Sequence, residues 1–323
     1  MRVFFYIPAR HLPSTKRLED WRAGRIPDLF DVGKPATAQN WIYQTWEELR
    51  DDCDIELVGE MPKAGIIVTL ANFLHTGFRA SAGQFIVAVV ADFVPHPGAQ
   101  VQVLQNVAHA RRFPGGIFMP HWPQLNLMPR DPARGDRLET IAFFGDRPNI
   151  APELLTDAFA ERLKKEASVR LEVRGSDCWH DYSDVDVVIA VRSFSVARHL
   201  HKPATKLYNA WLAGVPMIGG VDSAFMTEAT DGVDYLVART PDELISHLKL
   251  LKSQPVLRQG LVEAGNKRAK AHSREAMKQR WKDLCEKELP ERYRKWQQRH
   301  PLGRMVFWLY QDVFCFFDRK LRS

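Results

Sequence analysis

Short apolar runs alternate along the chain with longer stretches of helical period. In the first half the runs Val3–Ile7, Ile55–Val58, Gly65–Leu70, Phe85–Ala91 and Ile117–Met119 are almost continuously apolar. Strands of a parallel sheet covered on both faces have this texture. Between the first two runs, Trp41, Ile42, Thr45, Trp46 and Leu49 recur three and four residues apart, which predicts a helix over Ala38–Arg50. Ala99–His109, after the break Pro95–His96–Pro97–Gly98, reads as a second helix. Pro8–Pro35, rich in proline and charge, reads as a long excursion over the surface.

The texture changes between Pro120 and Arg137, where HWPQLNLMPRDPARGDR predicts an irregular interdomain linker. A second series then begins. Ile141–Phe144, Val169–Val173, Val185–Val191, Val215–Ile218 and Asp234–Val237 read as strands, and Pro152–Ala167, Thr205–Ala213 and Pro241–Leu251 as helices. Two successive α/β series in 323 residues predict two Rossmann-like domains, 1–135 and 136–285, followed by a basic, aromatic extension over 286–323. Open sheets of this kind bind ligands beyond the carboxyl ends of their strands, where the strand order reverses.

Composition narrows the class. With 45% hydrophobic and 26% charged residues the chain is of the water-soluble globular type, and no apolar run is long enough to span a bilayer. Cys53, Cys178, Cys285 and Cys315 form no paired motif, which excludes a zinc ribbon and fits a reducing cytoplasm. The opening RVFFYIPA predicts a first strand, since a leader peptide needs a longer apolar core. The net charge of +6 is concentrated between Lys267 and Arg304, where thirteen Lys/Arg face five Asp/Glu. No nucleic-acid reading module accompanies that charge, so nucleic acid is not an expected partner.

The chemistry is densest in DVDVVIAVRSFSVARHLHKPATKLYNAWLAGVPMIGG, from Asp184 to Gly220. A buried strand there gives way to a polar loop and then to a helix opening near Pro203–Ala204–Thr205. Unpaired N–H groups in a first helical turn bind anions. Thr205 adds a hydroxyl, and Lys206 and Lys202 add positive charge. A charge-assisted hydrogen bond contributes about 1.5–3 kcal/mol, against about 0.3–1 kcal/mol for the helix dipole, so a lysine would dominate a phosphate site here. Asp184 and Asp186, either side of Val185, start a buried strand and do not suggest a metal motif; neither metal nor cofactor is expected.

The run strand–Ser193–loop–helix–NAWLAGVPMIGG, with Glu228, DGVDYLVA and TPDELISHLKLL, resembles the donor-binding lobe of GT-B glycosyltransferases. The likeness is clearest from Asp184 to Leu251 and extends more weakly to IAFFGDRPN. It implies an α/β architecture of two Rossmann-like lobes facing a cleft, a nucleoside-diphosphate-sugar donor, and a saccharide or lipid-linked acceptor. It also implies that Gly145, Arg147, Ser193, Lys202, Thr205 and Lys206 surround the diphosphate, with His201, Asn209 and Glu228 nearer the sugar and nucleotide. Two glutamates spaced as in the sucrose-synthase-like group would fall at His201 and Asn209, and neither is a carboxylate here. ATKLYNAWLAGVP also resembles a run of the α1,3-fucosyltransferases, in which Lys206 and Asn209 match. A catalytically silent nucleotide-sugar binder and a two-lobed nucleotide-sugar epimerase therefore stand beside the transferase.

An acceptor hydroxyl needs a base. Asp92 and His75, each after a first-domain strand, are the candidates, and a turn-forming or loop role suits either equally. His121 and Trp122 would line an acceptor site or pack the linker. At the C-terminus, Met305–Phe317 is aromatic and flanked by Arg304, Arg319, Lys320 and Arg322. Two readings stand open there: an interfacial anchor for an anionic membrane, at the inner face, or a helix docked on the first domain.

Overall fold

The computed structural model describes residues 2–23, 36–195 and 199–322. The tail of the predicted 8–35 excursion and part of the loop before Thr205 lie outside them. Two compact units emerge: Met1–Trp122 with Glu275–Ser323, and Pro123–Arg274.

In the first unit β1 (Val3–Tyr6), β2 (Ile55–Val58), β3 (Gly65–Leu70), β4 (Gln84–Val89), β5 (Val101–Leu104) and β6 (Ile117–Phe118) form a parallel sheet in the order β2-β1-β3-β4-β5-β6. Its central strands β3 and β4 are apolar on both faces, as their nearly unbroken hydrophobicity requires. Ile66, Val68 and Leu70 of β3 and Phe85, Val87 and Val89 of β4 join one core, whereas Ile67, Ile86 and Ala88 join another. The helices before β2 are α1 (Thr15–Arg22), α2 (Ala36–Ala38), a π-helical turn at Gln39–Tyr43, and α3 (Gln44–Leu49). Trp41, Ile42, Tyr43 and Leu49 are all buried against the first core.

The expected helix over 99–109 is not formed. Its first part is β5, and only α4 (Val107–Ala110), capped by the Asn106 side chain, is helical. The glutamines mimic a helical polar face in sequence, yet they are buried. Gln100 bonds to the backbone of Ile86 and Gln84, and Gln102 to that of His96.

The second unit holds β7 (Thr140–Phe144), β8 (Arg170–Arg174), β9 (Val187–Ala190), β10 (Met217–Gly219) and β11 (Leu236–Val237), parallel throughout, in the order β11-β10-β9-β7-β8. Its helices are α5 (Asp157–Arg162), α6 (Thr205–Ala213), α7 (Ser223–Glu228), α8 (Pro241–Ser253) and α9 (Pro255–Ala269). The segment read as a linker is mostly part of this unit. Met128 pairs with Asp181, the Arg130 N–H donates to the Ala213 carbonyl, and Arg130 and Arg134 both bond to buried Asp186.

The sequence-drawn boundaries at 285 and 286 also shift. α10 (Arg274–Asp283), a π-helical turn at Leu284–Glu288, α11 (Leu289–Gln298) and α12 (Pro301–Arg322) all belong to the first unit apart from Arg274 itself. Met277, Trp281, Leu284, Cys285, Leu289 and Trp296 are buried in its main core. The apolar positions of this basic segment therefore complete a sheet laid down almost 200 residues earlier.

Candidate functional site

In the second sheet the chain passes from β7 to β8 at one edge. It then returns to β9 on the other side of β7 and continues outward to β10 and β11. The order thus reverses between β7 and β9, so the crevice for a ligand opens beyond the carboxyl ends of these two strands. The residues found there are those of the sequence motif.

β7 ends at Phe144 and is followed by Gly145, whose φ of 152° favours glycine. A Cβ at Gly145 would lie 3.0 Å from the Phe143 ring and 3.5 Å from Lys206 Nζ. Lys206 Nζ itself sits 4.8 Å from the centre of the Phe143 ring. The bare backbone of one strand end and the ammonium of a helix first turn are thereby brought face to face. Ala204 caps α6 without a side-chain hydrogen bond, so no side chain covers the first-turn amides from that position. Arg147, two residues beyond Gly145, is exposed, and among the described residues its side chain makes no hydrogen bond or ion pair.

At the end of β9, Arg192 Nε donates to Asp222 Oδ2 at 2.9 Å, both side chains being largely buried. Burial pushes the Asp222 carboxyl above its ordinary range, while Arg192, His199 and Lys206 oppose that shift. Its other oxygen, Oδ1, is buried with no hydrogen-bond partner. Ser193 Oγ lies 3.0 Å from Ser195 Oγ and 3.4 Å from His199 Nε2. Burial lowers the His199 pKa, with the Lys202 charge acting in the same sense, which favours a neutral ring.

Gly145, Ser193, Lys202 and Lys206 are thus linked by contact or by charge to one group, and Arg147 follows two residues after Gly145. The Thr205 hydroxyl is buried and has no partner, so it is withdrawn from solvent. Asn209 is also buried, and its amide oxygen accepts the Gln124 N–H at 3.2 Å. His201 is half-buried in the turn before α6. Glu228 belongs to a different set of contacts: the Tyr208 hydroxyl donates to it at 3.0 Å, and Tyr208 stacks on His272 at 3.8 Å. Sequence reasoning missed Arg192 and Asp222. The signal was present in an aspartate two residues past a Gly–Gly strand end.

In the first unit the strand order reverses between β1 and β3. His75 follows β3 and is exposed, with Nδ1 3.0 Å from the Thr76 carbonyl. Asp92 follows β4 just after Ala91, which has a φ of 47°; Asp92 is exposed and accepts from Gln105 Nε2 at 3.4 Å. Its charge is also felt by His121, whose pKa burial lowers. His121 lies edge-on to Trp41, and Trp122 is buried with its indole N–H donating to Thr45 Oγ1. Among the described residues, no three His, Cys, Asp or Glu side chains are grouped to hold a metal ion.

Residues 139–286 match the family model described as "Glycosyl transferase-like". The matched stretch is less than half of the chain; it takes in most of the second unit and runs on into α10 of the first. Two solved structures agree on the fold. Anabaena Alr3699/HepE, crystallised with UDP and glucose, is 13% identical with a TM-score of 0.55, covering 88% of this chain and 99% of that one. Thermobaculum terrenum O-GlcNAc transferase is 17% identical with a TM-score of 0.52, covering 92% and 68%. TarM, also matched, is 11% identical with a TM-score of 0.48; 70% of this chain is covered, spanning 56% of TarM. No curated protein matches the sequence. The fold is the two-lobed Rossmann-like fold of the GT-B glycosyltransferases, and the β7–β9 reversal described above lies inside the stretch that the family model matches.

Proposed function

We propose that this chain is a glycosyltransferase that moves a sugar from a nucleoside-diphosphate donor to a saccharide or lipid-linked acceptor in the cytoplasm. The observation that carries this reading is the meeting of Lys206 Nζ with Gly145 at the β7–β9 reversal. A diphosphate bridging these strand ends would receive the lysine charge, the first-turn amides of α6 and the unpaired Arg147. Charge develops on the leaving diphosphate as the glycosidic bond breaks, and fixed cations and amides stabilise it without reorganisation. In this reading the protein's own cations balance the diphosphate, so transfer needs no metal ion. Asp92 or His75 takes the proton of the acceptor hydroxyl as it attacks the sugar.

The test is calorimetric titration of UDP, GDP and ADP into the intact protein and into Lys206→Ala and Arg147→Ala. The nucleotide that binds is expected to lose roughly tenfold or more in affinity with Lys206→Ala, and to weaken in the same direction with Arg147→Ala. Unchanged affinity in a folded Lys206→Ala variant would overturn the placement. The departures at His201 and Asn209 would also suit a silent binder, so the matching nucleotide sugar is then supplied with saccharide acceptors. Sugar appearing on an acceptor separates the transferase from a binder and from an epimerase.

A further inference from the structure

α12 has two apolar faces. The inner one is committed to the first unit. Phe307 and Trp308 pack on the main core, Gln311 and Cys315 are buried, and buried Asp318 meets His109 Nε2 at 2.6 Å. Phe314 lies beside Phe113, and Asp312 pairs with Arg79 at 2.5 Å. The helix is therefore fixed, and the groove-docking reading holds for this half of it.

The outer face is different. Leu302, Met305, Val306, Leu309, Tyr310, Val313, Phe316 and Phe317 are 43–63% exposed. At 100° per residue they fall in one stripe about 140° wide, where an ordinary surface helix would be polar. An aromatic side chain presents about 150–250 Å² and an aliphatic one less, so these eight half-exposed residues leave on the order of 700 Å² uncovered. That is beyond the largest patch of a typical soluble monomer, roughly 300–600 Å². Among the described residues, no helix is long and apolar enough to cross a membrane, so the stripe does not span one.

Charge selects the occupant. From Leu289 to Ser323 the chain has eight Lys/Arg against three Asp/Glu; Arg292 and Lys295 pair with Glu288 and Glu291, while Asp312 and Asp318 are engaged by Arg79 and His109. Lys320 stands over the Phe316 ring at 4.8 Å, at the end of the stripe itself. A second copy would set these cations against their own kind. An anionic lipid surface would accept the rings at headgroup depth and neutralise the cations around them.

We infer that the outer face of α12 is a docking surface for an anionic membrane, with the helix lying in the interface plane. The inference stands apart from the donor site and is tested without catalysis. Full-length protein is mixed at low salt with vesicles of phosphatidylglycerol and phosphatidylcholine, or of phosphatidylcholine alone, and sedimented. Binding to the anionic vesicles, released by salt, is expected. Leu309→Asp combined with Phe316→Asp should weaken partitioning by roughly tenfold or more while leaving the melting temperature and nucleotide affinity in place. Arg319→Gln with Lys320→Gln should weaken binding to the anionic vesicles and flatten its salt dependence. Failure to sediment at low salt, or equal binding by the double aspartate variant, overturns the inference. So does a salt-resistant dimer that Leu309→Asp dissolves, which would assign the face to a second copy.

Discussion

Replacing Asp186 with asparagine tests how the second unit holds its leading segment. The carboxylate is 1% exposed and accepts from six N–H groups: Arg130 Nε and Nη2, Arg134 Nε and Nη2, and the backbone amides of Glu139 and Thr140. Burial alone would raise its pKa. The Arg134 hydrogen bond, the two amides and Arg130 outweigh that and hold it at about 2, from an ordinary 3.8. A depression of nearly two pH units corresponds to roughly 2–3 kcal/mol of stability. Because the folded pKa is the lower one, that stability is fully present above about pH 5 and is lost progressively as pH falls through about 2. The substituted side chain would keep one acceptor and turn an amide donor toward groups that are themselves donors, at a cost of about 3–5 kcal/mol at neutral pH. Hydrogen exchange at the Thr140–Phe144 amides reads the opening free energy of this unit alone. Wild type should lose roughly 2 kcal/mol between pH 5 and pH 2, and Asp186→Asn should start lower and change little. Parallel acid profiles for the two proteins would refute the account.

Two further outcomes are expected. Gly265→Ala would place a Cβ 2.4 Å from Cδ1 of buried Trp211, whose indole is tied to the Asp234 carbonyl. The overpacking should cost about 1–3 kcal/mol and lower the melting temperature, weakening diphosphate binding through the displaced α6; an unchanged melting curve would contradict it. For the proposed base, Asp92→Asn or His75→Ala should depress transfer far more than nucleotide affinity, and near-normal turnover in both variants would remove the pair.

Most strands were legible because a parallel strand writes its burial as a continuous apolar run. Ile55–Val58 and Gly65–Leu70 keep their sequence-read limits. β5 was hidden because Gln102 within it and Gln100 just before it are buried, satisfied on the backbones of the His96 loop and of β4, which no local periodicity reveals. Lys206 and Gly145 could be singled out from their places after strand ends, but their approach depends on a strand order that sequence does not display. Asp222 and Asp186 are decided by partners 30 and about 50 residues distant. Both faces of α12 carry large apolar residues, and the inner one even holds buried Gln311 and Asp318, so only packing tells the docked half from the bare one.

The discontinuity of the first unit bears on how the protein is made. The stretch from Pro123 to Arg274 is complete once its own residues have left the ribosome, so it is free to fold during synthesis. The earlier-made sheet must wait. Met277, Trp281, Leu284, Leu289 and Trp296 are supplied only after that stretch has been made. Until then the core side of β3 and β4 has only the cover that Trp41, Ile42, Tyr43, Leu49 and their neighbours supply. The earlier-made unit is thus finished after the later one, and a polypeptide cut short near residue 274 would carry the whole second unit tethered to an aggregation-prone, incompletely covered sheet.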